Sequence, residues 1–329
     1  MAGEDDLVIV VLSGGGSAIL AAPYEGAGFA LTLADKQAVT RELLASGASI
    51  QEINCVRKKF SAIKGGRLAQ AIAPAQCLTL ILSDVVGDEL TSIASGPTVP
   101  DETSAAQALA ILDRYALLDR IPATAAACIR AMAAGAVPAG PAADDPCFSH
   151  TRSVVVGSNL QALAAAREEA CALGYASLTL TARLIGEARE MAHLFSGLAL
   201  DIAQHGLPLA RPACILAGGE TTVTLRGRGC GGRNQELALA FLDDLDRGNP
   251  AIGEAVLLAA ATDGGDGPTD AAGAFASRAI WEEGLARGIK PGPYLAENDS
   301  YHYFAALGQL WVTGPTKTNV CDITVLVSP

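Results

Sequence analysis

Along this chain apolar residues fall into short unbroken runs that alternate with stretches of helical spacing. Leu7–Leu12 reads LVIVVL, continuous and rich in β-branched residues, the pattern of a central parallel strand covered on both faces. Residues 77–82 repeat it. Between them Thr32-Leu33-Ala34-Asp35 has the polar cap and early acid of a helix start, with Gly47 as its stop. Ser49-Ile50-Gln51-Glu52 is a capping box that opens the next helix. Helices are predicted at 104–115 and 122–134. Periodicity then fails over 135–149, which carries three prolines and reads as a connection between domains. Domains of 1–148 and 149–329 follow.

The second half predicts strand 153–157, helix 160–173, strand 176–181, helix 185–204 and strand 213–217. A close antiparallel strand at 221–226 comes next, then a helix from Arg233, strand 255–261, a helix near 274–287 and a last strand at 322–327. This alternation predicts an α/β protein, with a sheet in the second half made mixed by the pair at 213–226. The runs at 153, 213 and 255 are expected to share one sheet.

Composition narrows the function. The 329 residues suit two domains, and half of them are hydrophobic. A net charge of −12 and a pI near 4.8 argue against nucleic acid and against an anionic membrane surface as partners. An anionic substrate would have to be drawn by a local group of cations. The 8 cysteines show no Cys-x-x-Cys pair, as expected of reduced thiols in a cytosolic protein. The 4 histidines lie far apart and have no nucleophile signature beside them. The apolar run at 7–12 is too short for a signal peptide or a membrane span.

Five stretches carry candidate chemistry. Strand 7–12 stops at Ser13-Gly14-Gly15-Gly16-Ser17, whose glycines let backbone approach a ligand; its spacing is neither a Walker loop nor a dinucleotide fingerprint, and a plain structural turn is the alternative. A basic stretch holds Arg57, Lys58 and Lys59, then Lys64-Gly65-Gly66-Arg67. It reads either as a solvated helix face or as a turn that brings Lys64 and Arg67 to one anion. Asp84 lies just past the end of strand 77–82, where open α/β sheets bind ligands; it suits a metal ligand, a general base or an Asx-turn cap. In the second half, Gly227, Gly229, Gly231 and Gly232 precede Arg233-Asn234-Gln235-Glu236 at a helix start, where bare N–H groups and a guanidinium form an anion site. The loop Ala261-Thr262-Asp263-Gly264-Gly265-Asp266-Gly267-Pro268-Thr269-Asp270 follows, with carboxylates suited to a hard cation or simply to solvent.

GGRNQE, ATDGGDGPTD and TGPTKTNVCDI together resemble the C-terminal MOFRL domain of class II glycerate 2-kinases, some relatives of which carry the older label hydroxypyruvate reductase. SGGGSA and NCVRKKFSAIKGGRLA resemble the same family's N-terminal domain, so the resemblance runs from Ser13 to Asp322. It implies two three-layer α/β domains, the first with a truncated Rossmann-like parallel sheet and the second with a mixed sheet. It also implies transfer of the γ-phosphoryl of ATP to the 2-hydroxyl of D-glycerate with Mg²⁺, at a site between the two domains. By the same resemblance Arg233 stabilises the transferring phosphoryl group, with Lys64 and Asp84 as further catalytic residues. Ser13, Gly14, Gly15, Gly16, Ser17, Gly231, Gly232 and Asn234 then hold the nucleotide, and Asp263 and Asp266 hold the metal.

Two departures stand out. Lys317 replaces the last glycine of the family's Gly-Pro-Thr-Gly-Thr-Asn-Val, which alters that loop or adds a cation facing phosphate. The family's opening βα units, with a Gly-Lys-Ala lysine, have no counterpart before strand 7–12. That strand is therefore expected to leave an apolar side open and to favour a homodimer. The competing readings are a nicotinamide-dependent hydroxypyruvate reductase, which would need a GxGxxG turn, and a relative that binds ligands without turnover.

Overall fold

The computed structural model describes residues 2–248 and 252–329. The chain divides into two units, Met1–Val156 and Gly157–Pro329.

In the first unit β1 (Leu7–Leu12) leads to α1 (Gly16–Ile19), the small ribbon β2 (Glu25–Gly26) and β3 (Phe29–Ala30), then α2 (Leu33–Ala45), α3 (Ile50–Lys59) and α4 (Arg67–Ile72). β4 (Gln76–Leu82), α5 (Ala105–Arg114), α6 (Ala123–Ala133) and β5 (Thr151–Gly157) complete it. Helices start where capping chemistry predicts. Thr32, Ser49 and Ser104 each accept the N3 backbone N–H, and Asp35, Glu52 and Gln107 close the boxes. The helices bury Val39, Leu43, Val56, Leu112 and Ile129 against one another. The sheet runs β1-β4-β5, with β1 parallel to β4 and Leu12 opposite Ile81. Both strands therefore end at the same edge, and the turns that follow them emerge together.

Two expectations are corrected here. The run at 153 pairs with β4 and so leaves the sheet that holds 213 and 255; the division accordingly falls after Val156, not after residue 148. β1 keeps one face open, as the resemblance led us to expect. Leu7, Ile9 and Val11 are 60%, 56% and 75% exposed, while Leu12 is buried against Ile81 and Ile93. The unbroken apolar run is the pattern of a doubly covered strand, yet among the described residues nothing covers that second face.

The second unit contains α7 (Asn159–Ala172), β6 (Ala176–Leu184), α8 (Ala188–His205), β7 (Ala213–Gly219), α9 (Arg233–Asp246) and β8 (Val256–Ala261). β9 (Gly273–Ser277), α10 (Arg278–Ala286), α11 (Pro291–Ala296), α12 (Ser300–Leu307), β10 (Leu310–Trp311) and β11 (Asp322–Ser328) follow. Its sheet has the order β10-β9-β8-β11-β7-β6. β6 and β7 are parallel, whereas β11 runs antiparallel to both β7 and β8. The sheet is mixed, as expected, but for another reason. Residues 221–226 form no strand; Thr222 makes only an isolated bridge to Glu187. The antiparallel character comes from β11, inserted between β7 and β8. α9 is buried from Asn234 to Asp243 and packs its Leu237 and Phe241 with Phe195, Ile215, Leu257 and Phe304. No helix among the described residues is long and apolar enough to cross a membrane.

Candidate active site

In the second unit the topology assembles one edge of the sheet. β7 ends at Gly219 and β8 at Ala261, and the first residue of antiparallel β11, Asp322, stands opposite both. Glu220, the loop from Thr262 and Asp322 therefore meet where α9 begins. Arg233, the first residue of α9, reaches Asp322 with a fork: Nε donates to Oδ2, and Nη2 donates to Oδ1 at 2.9 Å. Its Nη1 donates to Glu220 Oε1 at 2.7 Å. Burial alone would lower the guanidinium pKa, but hydrogen bonding and charge from Asp322, with Glu220 behind, raise it well above the ordinary value. The Arg233 side chain stays 31% exposed and Glu220 46% exposed, while Asp322 is buried. One side of the fork is thus fixed and the other is open to solvent.

The rest of the motif turns inward. Asp266 is 2% exposed and accepts from Asn234 N at 3.1 Å, Gln235 N at 2.8 Å and Asn234 Nδ2 at 3.2 Å. Burial pushes its carboxyl up to about 6, against the pull of those backbone donors. The helix start expected to present bare N–H groups already holds an anion, the chain's own carboxylate. Gln235 donates to Thr269 Oγ1 at 2.8 Å. Glu236 is buried between Arg189, at 2.6 Å, and Asn298, at 2.8 Å.

The glycines have a packing reason. A Cβ on Gly231 would stand 2.1 Å from Ser300 Oγ, and one on Gly232 would stand 2.2 Å from Asp266 Cγ. Backbone N–H groups of Arg226, Gly227, Gly229 and Cys230 donate to the 297–299 segment. Gly231, Gly232 and Asn234 are therefore spent on close packing and capping. Asp263, exposed on the loop, accepts Gly265 N at 3.0 Å, so its carboxylate and that of Asp266 do separate local work. No group of three metal-ligating side chains occurs among the described residues.

The first unit gathers its own candidates at the edge where β1 and β4 end. The 13–17 turn leads into α1 through Gly15, which takes φ 76°, a value only glycine adopts freely. Lys64 Nζ donates to the Ser17 carbonyl at 2.7 Å and to Ser17 Oγ at 2.9 Å, and Ser17 Oγ stands 2.8 Å from Ser95 Oγ. Arg57 Nη2 reaches the same Ser17 carbonyl at 3.0 Å. Asp84 follows β4 beyond buried Ser83, at the same edge as the turn. Arg67, expected to join Lys64 on one anion, is instead a clamp. It donates to the carbonyls of Lys58 and Ala139, and its guanidinium lies over the Tyr24 ring.

The residues that sequence reasoning left without a role are Asp322, Glu220, Arg57 and Lys36. Asp322 ends the quoted motif TGPTKTNVCDI, and Glu220 follows the Gly-Gly step after β7. Nothing local marks either as a partner of Arg233, because β11 brings Asp322 back across 89 positions.

An α/β chain that sets a half-exposed arginine fork at one sheet edge, and a cation-braced glycine turn at another, has the parts of an enzyme acting on small anions. Comparison with known proteins narrows that class. Residues 1–130 match a family described as a domain of unknown function, DUF4147, and residues 213–322 match the MOFRL family. The chain is 41% identical to glycerate kinase of Macaca fascicularis, over 98% of this chain and 89% of that one. It is 45% identical to a putative hydroxypyruvate reductase of Agrobacterium vitis, over 99% of this chain and 70% of that one. The crystal structure of glycerate kinase from Thermotoga maritima superposes with a TM-score of 0.87 at 36% identity, covering 100% of this chain and 74% of that one. The chain belongs to the class II glycerate kinase family.

Proposed function

We propose that this protein is a cytoplasmic glycerate kinase that transfers the γ-phosphoryl group of ATP to the 2-hydroxyl of D-glycerate. The observation that carries the reading is the Arg233 fork. Phosphoryl transfer asks for positioning and charge neutralisation more than for covalent chemistry. Asp322 fixes the direction of the guanidinium, and the half-exposed pair with Glu220 is the one that a phosphoryl oxygen would replace. Arg233 is thereby assigned the charge that develops on the transferring group. Lys64 is assigned to a substrate anion, Asp84 to the proton of the attacking hydroxyl, and the 13–17 turn to backbone contact with a ligand.

The residues present do not fit a resident metal held by Asp263 and Asp266, because both Asp266 oxygens already cap α9. Mg²⁺ therefore enters with the nucleotide, as the substrate MgATP. A homodimer through the open face of β1 belongs to the same proposal.

The test is release of ADP from MgATP in the presence of D-glycerate, with 2-phosphoglycerate identified as product. Oxidation of NADH or NADPH by hydroxypyruvate is measured beside it. Reductase activity without ADP release would overturn the proposal.

A further inference from the structure

In the first unit Lys36, Arg57 and Lys64 stand close enough to repel one another, and among the described residues none of them is paired with an acid. Lys64 is 2% exposed, and its Nζ donates only to the Ser17 carbonyl and hydroxyl and, at 3.5 Å, to the Ala94 carbonyl. Arg57 shares the Ser17 carbonyl, and Lys36 Nζ donates to the Ala22 carbonyl at 3.2 Å. Every acceptor is neutral. Among the described residues none of the three cations has a carboxylate within ion-pair distance, in a chain whose 35 acids outnumber 23 bases.

Elsewhere on the same helix the chain does neutralise its buried cations. Lys58 and Lys59, neighbours of Arg57, both pair with Asp101, at 3.2 and 2.7 Å. A buried cation without a counter-ion is costly. Lys36 adds a further cost, since it stands in the first turn of α2, at the positive end of the helix dipole. Burial, with repulsion from Arg57 and Lys36, pulls Lys64 down to about 7, and burial with repulsion from Arg57 pulls Lys36 down to about 8. The arrangement is unfavourable until an anion arrives.

Resting on the glycerate kinase reading, we propose that Lys36, Arg57 and Lys64 bind the carboxylate of glycerate, while Ser95 and Asn54 serve its hydroxyls. The other anion of that reaction, the triphosphate, arrives chelated to Mg²⁺ and suits sites that mix cations with metal-binding carboxylates. Three cations without an acid repel a metal ion, whereas a carboxylate brings none. The neutral groups beside Lys64 also suit a hydroxy acid. Ser95 Oγ stands 2.8 Å from Ser17 Oγ and donates to Asn54 Oδ1 at 3.4 Å, so hydroxyl and amide groups lead away from the cations.

The test compares binding of D-glycerate and of its uncharged amide, glyceramide, to the full chain without nucleotide, by calorimetry. Wild type should prefer glycerate by about tenfold or more, as expected when a charge-assisted contact is lost. Arg57→Gln and Lys36→Met should erase most of that preference. Arg57→Lys and Lys36→Arg, which keep the charge, should retain much of it and serve as folding controls beside circular dichroism. In turnover, the neutral variants should raise KM for glycerate about tenfold and leave KM for MgATP within about twofold. Wild type that treats glycerate and glyceramide alike would overturn the proposal. So would neutral variants that bind glycerate normally, or that lose MgATP instead. Failure of the kinase reading is visible separately, as wild type that binds glycerate but releases no ADP.

Discussion

Arg233 and Asp322 are joined by two parallel hydrogen bonds, with Nη2 to Oδ1 at 2.9 Å, although they lie 89 positions apart. A bidentate fork fixes the plane of the guanidinium as well as its position. Asp322 is held in turn, since its backbone carbonyl accepts Asn159 Nδ2 at 2.9 Å and its strand is paired on both sides. The central strand of the sheet therefore sets where the arginine points.

Removing the fork should affect the transition state more than the ground state. Arg233→Ala is expected to lower kcat by about 10³-fold with little change in KM, in line with other phosphoryl-transfer arginines. Asp322→Asn keeps one acceptor and the shape but loses the charge, so it should lose less. Steady-state ADP release by the two variants checks both. A variant that raised KM and kept kcat would mark Arg233 as a binding group only.

Asp266 gives the opposite pattern. Its carboxylate satisfies the first-turn N–H groups of α9, so Asp266→Ala removes a helix cap and leaves buried donors unpaired. The expected cost is about 2–4 kcal/mol, from the cap and the lost hydrogen bonds together. Urea unfolding should show it, while the Mg²⁺ concentration for half-maximal turnover stays unchanged in whatever protein remains folded. A large shift in that Mg²⁺ requirement at normal stability would restore the metal role.

Much of this was legible in the sequence, and the parts that were not share a cause. The capping boxes at Thr32, Ser49 and Ser104 are local chemistry and stand where the residues place them. Strand positions were readable too, since runs such as 213–217 and 255–261 are apolar at strand length. Sheet membership was not. The run at 153 looks like its neighbours in sequence but pairs with β4, and β11 crosses the unit to separate β7 from β8. The glycine-rich stretch before Arg233 shows the same limit. Glycine signals close approach without saying to what, and at Gly231 and Gly232 the neighbours are Ser300 and Asp266.

The open face of β1 should cause association. Leu7, Ile9 and Val11 are exposed in line and lie in register with Gln76, Leu78 and Leu80. Apolar surface on a strand is a template for self-association. Sedimentation velocity over a concentration series should show larger species for wild type, and Ile9→Lys should shift them toward monomer. A wild type that stays monomeric throughout would remove the basis for the proposed dimer.

Lys64 couples stability to pH. Its pKa is lowered to about 7 by burial and by Arg57 and Lys36, against about 10.4 in an unfolded chain. Between those values the unfolded chain holds the proton and the native state does not, so this residue's contribution to stability rises as pH climbs from about 7 to about 10. Lys64→Met should flatten that rise. It should also make the protein more stable than wild type at pH 7, because a buried cation without a partner is gone, while turnover of glycerate falls. Urea titrations at pH 7 and pH 10 would check this, and a Met variant less stable at pH 7 would show that the Ser17 contacts outweigh the burial of charge.

Lys317 stands where the family motif carries glycine, and its backbone has φ 62°, in the left-handed region. A side chain there costs roughly 1–2 kcal/mol, partly offset by the greater entropy that glycine loses on folding, about 0.5–1 kcal/mol. Lys317→Gly should therefore stabilise the protein by about 0.5–1 kcal/mol, a rise of about 1–4 °C in Tm for a unit of this size. The neighbouring turn should survive the change, since Thr316 Oγ1 donates to the Thr262 carbonyl and Thr316 N to the Asp263 carbonyl. That strain would be tolerated if the ammonium serves phosphate, so the same variant tests the second reading of the substitution. A higher Tm with a several-fold rise in KM for MgATP would give Lys317 a part in nucleotide binding. A higher Tm with unchanged kinetics would leave it as a strained turn residue, and an unchanged or lower Tm would contradict the backbone argument.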